Sequence, residues 1–184
     1  MLEKLIAGRW IAGPEIEDAI KVSRSLNRIG ISTLVNYLGE EFKDKKQVED
    51  AVRTYQKLIE EIKKNSVDSS ISVKMTQLGL RIGKAYAIKN YLKLAKLAKP
   101  LFVWLDMESS DTVDATIEAY EKALELGNVG ICLQAYLKRS YKDMKRLIKK
   151  RAVIRLVKGA YREKLGVALQ SKKAIDSNFE LLMN

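Results

Sequence analysis

The strongest constraint on the fold of this chain is a set of short apolar runs, each closed by a polar residue. Ile71-Ser72-Val73 ends at Lys74, and Leu101-Phe102-Val103-Trp104-Leu105 ends at Asp106. Val129-Gly130-Ile131-Cys132-Leu133 ends at Gln134, and Ala152-Val153-Ile154 leads through Arg155 to Leu156, Val157 and Lys158. Continuous apolar runs of this kind read as strands buried on both faces, and the stretches between them read as helices. In a β/α barrel, side chains at the C-terminal ends of different strands meet in one site. Polar residues at successive strand ends therefore favour a barrel over an open doubly wound sheet. A dinucleotide-binding open sheet would also show a glycine-rich turn after an early strand, and Gly79 and Gly83 do not make that fingerprint.

The intervening segments carry helix signals. Pro14 suits a first helical turn, with Ile16, Ala19, Ile20 and Ser23 on one face and Gly30 as a stop. Residues Ile31 to Leu38 read as the first strand. Asp44 and Gln47 have the spacing of a capping box, and Val48, Ala51, Val52, Tyr55, Ile59 and Ile62 share a face of the following helix. A helix from Arg81 to Lys99 places Ala85, Ile88, Leu92 and Ala95 inward and closes at Pro100. Ser109-Ser110-Asp111 is a cap signal for a helix with Val113, Ile117, Tyr120 and Leu124 inward, ended by Gly127. A further helix carries Met144, Leu147 and Ile148. The strand-to-strand repeat of roughly 25 to 35 residues suits right-handed crossovers. Five strands can be counted, giving a helical segment over residues 1–30 and a partial barrel over 31–184, with Asp176 to Asn184 opening the helix after the fifth strand.

Composition removes several chemistries. The 184 residues include no histidine and one cysteine, Cys132, which reads as a small core residue. Histidine triads, the common zinc sites and a disulfide framework are excluded, so no metal site is expected. Carboxylates, lysines, arginines, tyrosines, amides or a cofactor must do the work. The net charge of +11 is spread over lysine-rich helices, such as Lys84, Lys89, Lys93, Lys96 and Lys99. It reads as a solvated outer ring without a specific nucleic-acid signature. No apolar run approaches the roughly 20 residues that span a bilayer, and the N-terminus lacks the apolar stretch of a signal peptide. A cytoplasmic location is the expectation.

Four ordered segments carry a resemblance. They are Ile71-Ser72-Val73-Lys74-Met75-Thr76-Gln77-Leu78-Gly79, Leu105-Asp106-Met107-Glu108-Ser109, Leu133-Gln134-Ala135-Tyr136 and Arg155-Leu156-Val157-Lys158-Gly159-Ala160-Tyr161. Together they resemble proline dehydrogenase. Ala7-Gly8-Arg9-Trp10-Ile11-Ala12-Gly13 and the stretch from Asn27 through Leu38-Gly39-Glu40 are similar to the monofunctional bacterial and archaeal form. The resemblance implies an α/β fold, a (β/α)8 TIM barrel holding FAD, of which this chain carries about the first five strands behind an N-terminal helical extension. It implies oxidation of L-proline to 1-pyrroline-5-carboxylate, with hydride transfer to the flavin N5 and electrons passed to a quinone.

Carried over residue by residue, the resemblance puts Arg155 beside the flavin, with Gln134 as an amide contact and Val157 and Gly159 approaching through their backbone. It puts Lys74 near the substrate carboxylate, Asp106 near the amine end and Tyr161 in the active site. Each has a plainer alternative. Arg155 could make an interior ion pair with Asp106 or another carboxylate, Gln134 could satisfy strand-end backbone groups, Lys74 and Asp106 could form a mutual salt bridge, and Tyr161 could simply pack. Lys158 reads as a barrel ion pair.

The resemblance also implies three further strands, a threonine-histidine-aspartate segment and a closing helix whose paired arginines and glutamate grip the substrate, none of which lies within these residues. A fragment of a longer reading frame is thus the expectation for this sequence. Its open edges would invite self-association or a partner chain, and a quinone acceptor implies peripheral contact with the inner face of a membrane. A non-catalytic remnant or binding module that completes its barrel with a partner is the alternative reading.

Overall fold

Five parallel strands, hydrogen-bonded in the order of the sequence, form one sheet in the computed structural model, which describes residues 11–184. The strands are β1 (Thr33–Asn36), β2 (Ser69–Val73), β3 (Val103–Leu105), β4 (Val129–Gln134) and β5 (Ile154–Val157). Between and around them run α1 (Ile16–Asn27), α2 (Lys45–Lys64), α3 (Lys84–Ala98), α4 (Val113–Ala123), α5 (Ser140–Ile148) and α6 (Lys172–Met183). Each strand joins the next through a helix, the connection parallel pairing requires. Every polar residue that closes an apolar run thereby reaches the same end of the sheet. This is the partial barrel that the apolar runs predict. The stretch Ala7 to Trp10, part of the resemblance, lies outside the described residues.

The sheet is buried where its strands read as apolar throughout. Every residue of β4 is buried, and Ile71, Val73, Val103, Leu105 and Ile131 are fully so. In one row across the sheet, Ser72 stands beside Trp104 and Trp104 beside Gly130. Gly130 is glycine for a reason of space, since a Cβ there would fall 2.6 Å from Trp104 Cε3.

The helix α2 buries Val48, Ala51, Val52, Tyr55, Ile59 and Ile62 as its periodicity predicts. Asp44 caps it by accepting the Gln47 N–H at 3.0 Å. The Tyr55 hydroxyl lies 2.9 Å from the Ser72 carbonyl and 2.9 Å from Gln77 Oε1, while Gln77 Nε2 donates to the Tyr37 carbonyl at 2.7 Å. This buried chain ties the segment after β1 to the segment after β2. Asn27, at the end of α1, accepts the Asp68 N–H and donates to the Asp68 carbonyl, fastening the N-terminal helix to the start of β2.

Several local expectations are corrected. The first strand is four residues long rather than Ile31 to Leu38. The third helix starts at Lys84, and its buried face is Ala87, Ile88, Tyr91, Leu94, Ala95 and Ala98, with Ala85 exposed and Leu92 at the margin. Leu92, Leu94 and Leu97 distribute apolar residues around much of that helix, so periodicity alone leaves its phase open. Ile148 is 59% exposed although Met144 and Leu147 are buried. Ser109 makes no side-chain cap bond. The cap comes from Glu163, whose carboxylate accepts the Ser110 N–H at 2.6 Å and the Ser110 hydroxyl at 2.7 Å.

Candidate active site

The strand ends bring two charged clusters to one mouth of the sheet. In the first, Lys74, just past β2, pairs through Nζ with Glu40 Oε2 at 2.7 Å. Tyr161, past β5, donates its hydroxyl to the same oxygen at 2.7 Å. The Lys74 bond first, then the Tyr161 bond, hold the Glu40 carboxyl below its ordinary range. Burial, and then donation to Glu40, push the Tyr161 phenol up.

In the second cluster, Arg155 reaches from β5 to pair with Asp106, which follows β3. Ser72 donates to the same Asp106 oxygen at 2.6 Å. The Arg155 guanidinium stands over the Trp104 ring, 5.2 Å from its centroid, a cation–π arrangement. Lys74 and Asp106 directly follow the paired residues Val73 and Leu105 of β2 and β3, so both clusters stand at the same end of the sheet.

Gln134 ends β4 and donates through Nε2 to the Met107 carbonyl at 3.0 Å. Its Oε1 and the Arg155 Nε are buried with no hydrogen-bond partner among the described residues. The carbonyl of Val157 accepts the Ala135 N–H at 2.7 Å. Gly159 has φ +114°, and a Cβ there would lie 2.2 Å from Tyr136 Cδ1. The ring of Tyr136 is thus one reason that position is glycine. Lys158 pairs outward with Asp176 at 2.5 Å.

All of the residues predicted from sequence sit at this mouth, and the plainer alternatives apply in part. Arg155 does pair with Asp106, and Gln134 does satisfy a backbone carbonyl. The salt bridge between Lys74 and Asp106 is not formed, because Lys74 is held by Glu40 while Asp106 is held by Arg155 and Ser72. Glu40 is the residue that sequence reasoning missed. It lies in the segment after β1, beyond the position that matches Lys74 after β2, so strand-end position alone did not mark it.

The match to known proteins covers this whole arrangement. A family model described as proline dehydrogenase matches residues 19–176. The chain is 33% identical over 183 residues to proline dehydrogenase 1 of Bacillus subtilis subsp. natto, covering 98% of this chain and 61% of that protein. It is 33% identical over 186 residues to the proline dehydrogenase of Deinococcus radiodurans, covering 97% and 60%. The fold superposes with a TM-score of 0.88 on proline utilization A from Bdellovibrio bacteriovorus inactivated by N-propargylglycine, at 25% identity, over 98% of this chain and 24% of that one. The chain therefore spans about three fifths of the length of the curated relatives it matches. With five parallel strands in sequence order, polar residues gathered at one mouth and a match across most of its length, this chain belongs to the proline dehydrogenase family.

Proposed function

We propose that this site serves the FAD-dependent oxidation of L-proline to 1-pyrroline-5-carboxylate. The observation that carries this reading is the pair of clusters at one end of the sheet, Lys74–Glu40–Tyr161 and Arg155–Asp106, inside a fold of the proline dehydrogenase family. One cluster offers an ammonium to a carboxylate, and the other offers a planar cation beside a carboxylate.

The residues present fit a flavin. Arg155 keeps 29% of its side chain exposed, and its Nε lacks a partner. Gln134 Oε1, on the neighbouring strand, is likewise unsatisfied. An unpaired donor and acceptor of this kind cost roughly 1–3 kcal/mol each, and the polar edge of an isoalloxazine carries groups that can satisfy both. Arg155, Gln134 and the backbone at Val157 and Gly159 would hold the cofactor. When bound, FAD supplies the hydride acceptor. The fixed charge of Arg155 would offset negative charge gathering on its side of the site.

On the substrate side, Lys74 would hold the proline carboxylate. An ammonium has three N–H donors, so Lys74 can keep Glu40 and accept a second carboxylate. Asp106 would face the amine, and Tyr161 would fix Glu40 through the oxygen it shares with Lys74. A quinone is the proposed electron acceptor, met by a cytoplasmic protein at the inner membrane face through peripheral contact. Among the described residues no helix is long and apolar enough to cross a membrane, and a charge of +11 favours an anionic surface.

The test is the visible absorption of the purified chain with FAD, followed by L-proline without oxygen. A flavin band that bleaches supports the reading. A band that persists refutes proline oxidation by this chain, and a colourless protein refutes flavin binding as well.

A further inference from the structure

One buried carboxylate has no part in the reading above. Glu108 is 1% exposed, and carboxylates are almost never so buried unless held. Its Oε1 accepts the Thr76 N–H at 3.0 Å, and its Oε2 accepts the Thr76 hydroxyl. Thr76 is itself fully buried, and its Oγ1 accepts the Glu41 N–H at 2.9 Å. A single relay therefore runs from Glu41 through Thr76 to Glu108. It crosses the segments that follow β1, β2 and β3.

The relay meets each segment beside a site residue. Glu41 is next to Glu40, Thr76 is two residues after Lys74, and Glu108 is two residues after Asp106. Peptide units are rigid, with two soft dihedrals per residue. A tie this close leaves the site residues little freedom to drift. Glu41 has φ +61°, a conformation uncommon outside glycine, and its N–H is the first donor of the relay.

A carboxylate is a costly way merely to fill space. Burial pushes the Glu108 carboxyl up, and the Thr76 hydroxyl and N–H act against that rise. An apolar side chain of similar volume would avoid the desolvation altogether. What the carboxylate adds is a two-point grip on one residue of a neighbouring loop. On the exposed side, Arg81 repeats the connection between the first and third segments. It pairs with Glu41 at 2.7 Å through both Nε and Nη2, and with Asp111 at 2.5 Å.

We propose that Glu108 is a positioning residue of this site, which through Thr76 and Glu41 holds Lys74 and Glu40 in register for the ligand. The proposal rests on the functional reading only in naming Lys74 and Glu40 as the substrate end. The relay acts on them whether or not the chain turns over proline.

Competitive amine labelling at neutral pH tests it. The chain is reacted with trace acetic anhydride, and acetylation of each lysine is read by mass spectrometry, with exposed Lys89 as internal standard. Thr76→Val keeps shape and charge but removes the hydroxyl at the centre of the relay. Lys74, no longer held by a well-placed Glu40, should label roughly threefold faster or more, in line with the modest worth of a part-exposed ion pair. Thr76→Ser keeps the hydroxyl and should leave Lys74 as it is in the unaltered chain. Glu108→Gln should move with Thr76→Val, and if it fails to fold, the Thr76 pair decides.

The proposal is overturned if Lys74 labels equally in Thr76→Val and the unaltered chain, or if Thr76→Ser rises as far as Thr76→Val. It is also overturned if Lys63, whose Nζ donates to the Leu97 carbonyl at 2.6 Å elsewhere in the fold, rises by the same factor, because that would mark general loosening. Failure of the flavin experiment leaves all of these outcomes readable, so the two ideas fail separately.

Discussion

Arg155 and Asp106 form an ion pair that spans a strand, since Arg155 leaves β5, Asp106 follows β3, and β4 runs between them. The pair rests on the Trp104 face and takes in the Ser72 hydroxyl. A planar guanidinium can meet the carboxylate at one edge, lie on the ring and still present other N–H groups.

Arg155→Lys keeps the charge and loses that geometry. The affinity for FAD is expected to fall about tenfold, near 1.4 kcal/mol, with helix content unchanged. Titration of the chain with FAD, followed by quenching of flavin fluorescence, measures it. Equal affinity in the two proteins would remove Arg155 from the flavin side of the site.

Gly159→Ala places a methyl group against the Tyr136 ring and forces φ +114° on a residue with a side chain. Overpacking and backbone strain of this kind cost roughly 1–3 kcal/mol each. A lowered urea midpoint with an unchanged slope is the expected outcome. Combining it with Tyr136→Ala should recover the packing part of the loss and leave the backbone part.

Tyr55→Phe removes a hydroxyl shared between the Ser72 carbonyl and Gln77 Oε1. Leaving those acceptors buried without their donor should destabilise the chain by about 1–3 kcal/mol. Amide exchange should rise around Tyr37 and Gln77 more than in α5, because the loss falls on the tie between the first two loops.

Glu121 gives a pH dependence of known sign. Arg146, at 2.7 and 2.8 Å, followed by Lys150, holds its carboxyl below the ordinary value of 4.5. A carboxyl with a depressed folded value contributes stability above the ordinary value and loses it as pH falls through the folded one. Glu121→Gln should therefore lower the urea midpoint at pH 7 and flatten its decline below pH 4.5. An unchanged acid limb would show that the pair contributes nothing.

The strands and the residues that close them were legible because β4 is buried along its whole length and β2 and β3 bury Ile71, Val73, Val103 and Leu105, so each carries apolar residues up to its polar end. The pairing of those residues was not legible. Lys74 and Asp106 stand at comparable positions on adjacent strands, and only the geometry of the mouth gives one to Glu40 and the other to Arg155. The cap on the segment before α4 is similarly hidden, because it comes from Glu163, 53 residues away. Glu108 reads in sequence as one more polar residue after a strand. Only burial distinguishes it from Ser109 beside it.

Gly130 has a consequence beyond its own strand. By withholding a side chain it gives the Trp104 ring a seat on β4, and that ring is the plate on which Arg155 lies. The height of the positive charge at the mouth of the sheet is thus set partly by a volume left to a neighbour. A single methyl at residue 130 would lift the plate and the cation with it, altering the electrostatics of the site without touching any ionisable group.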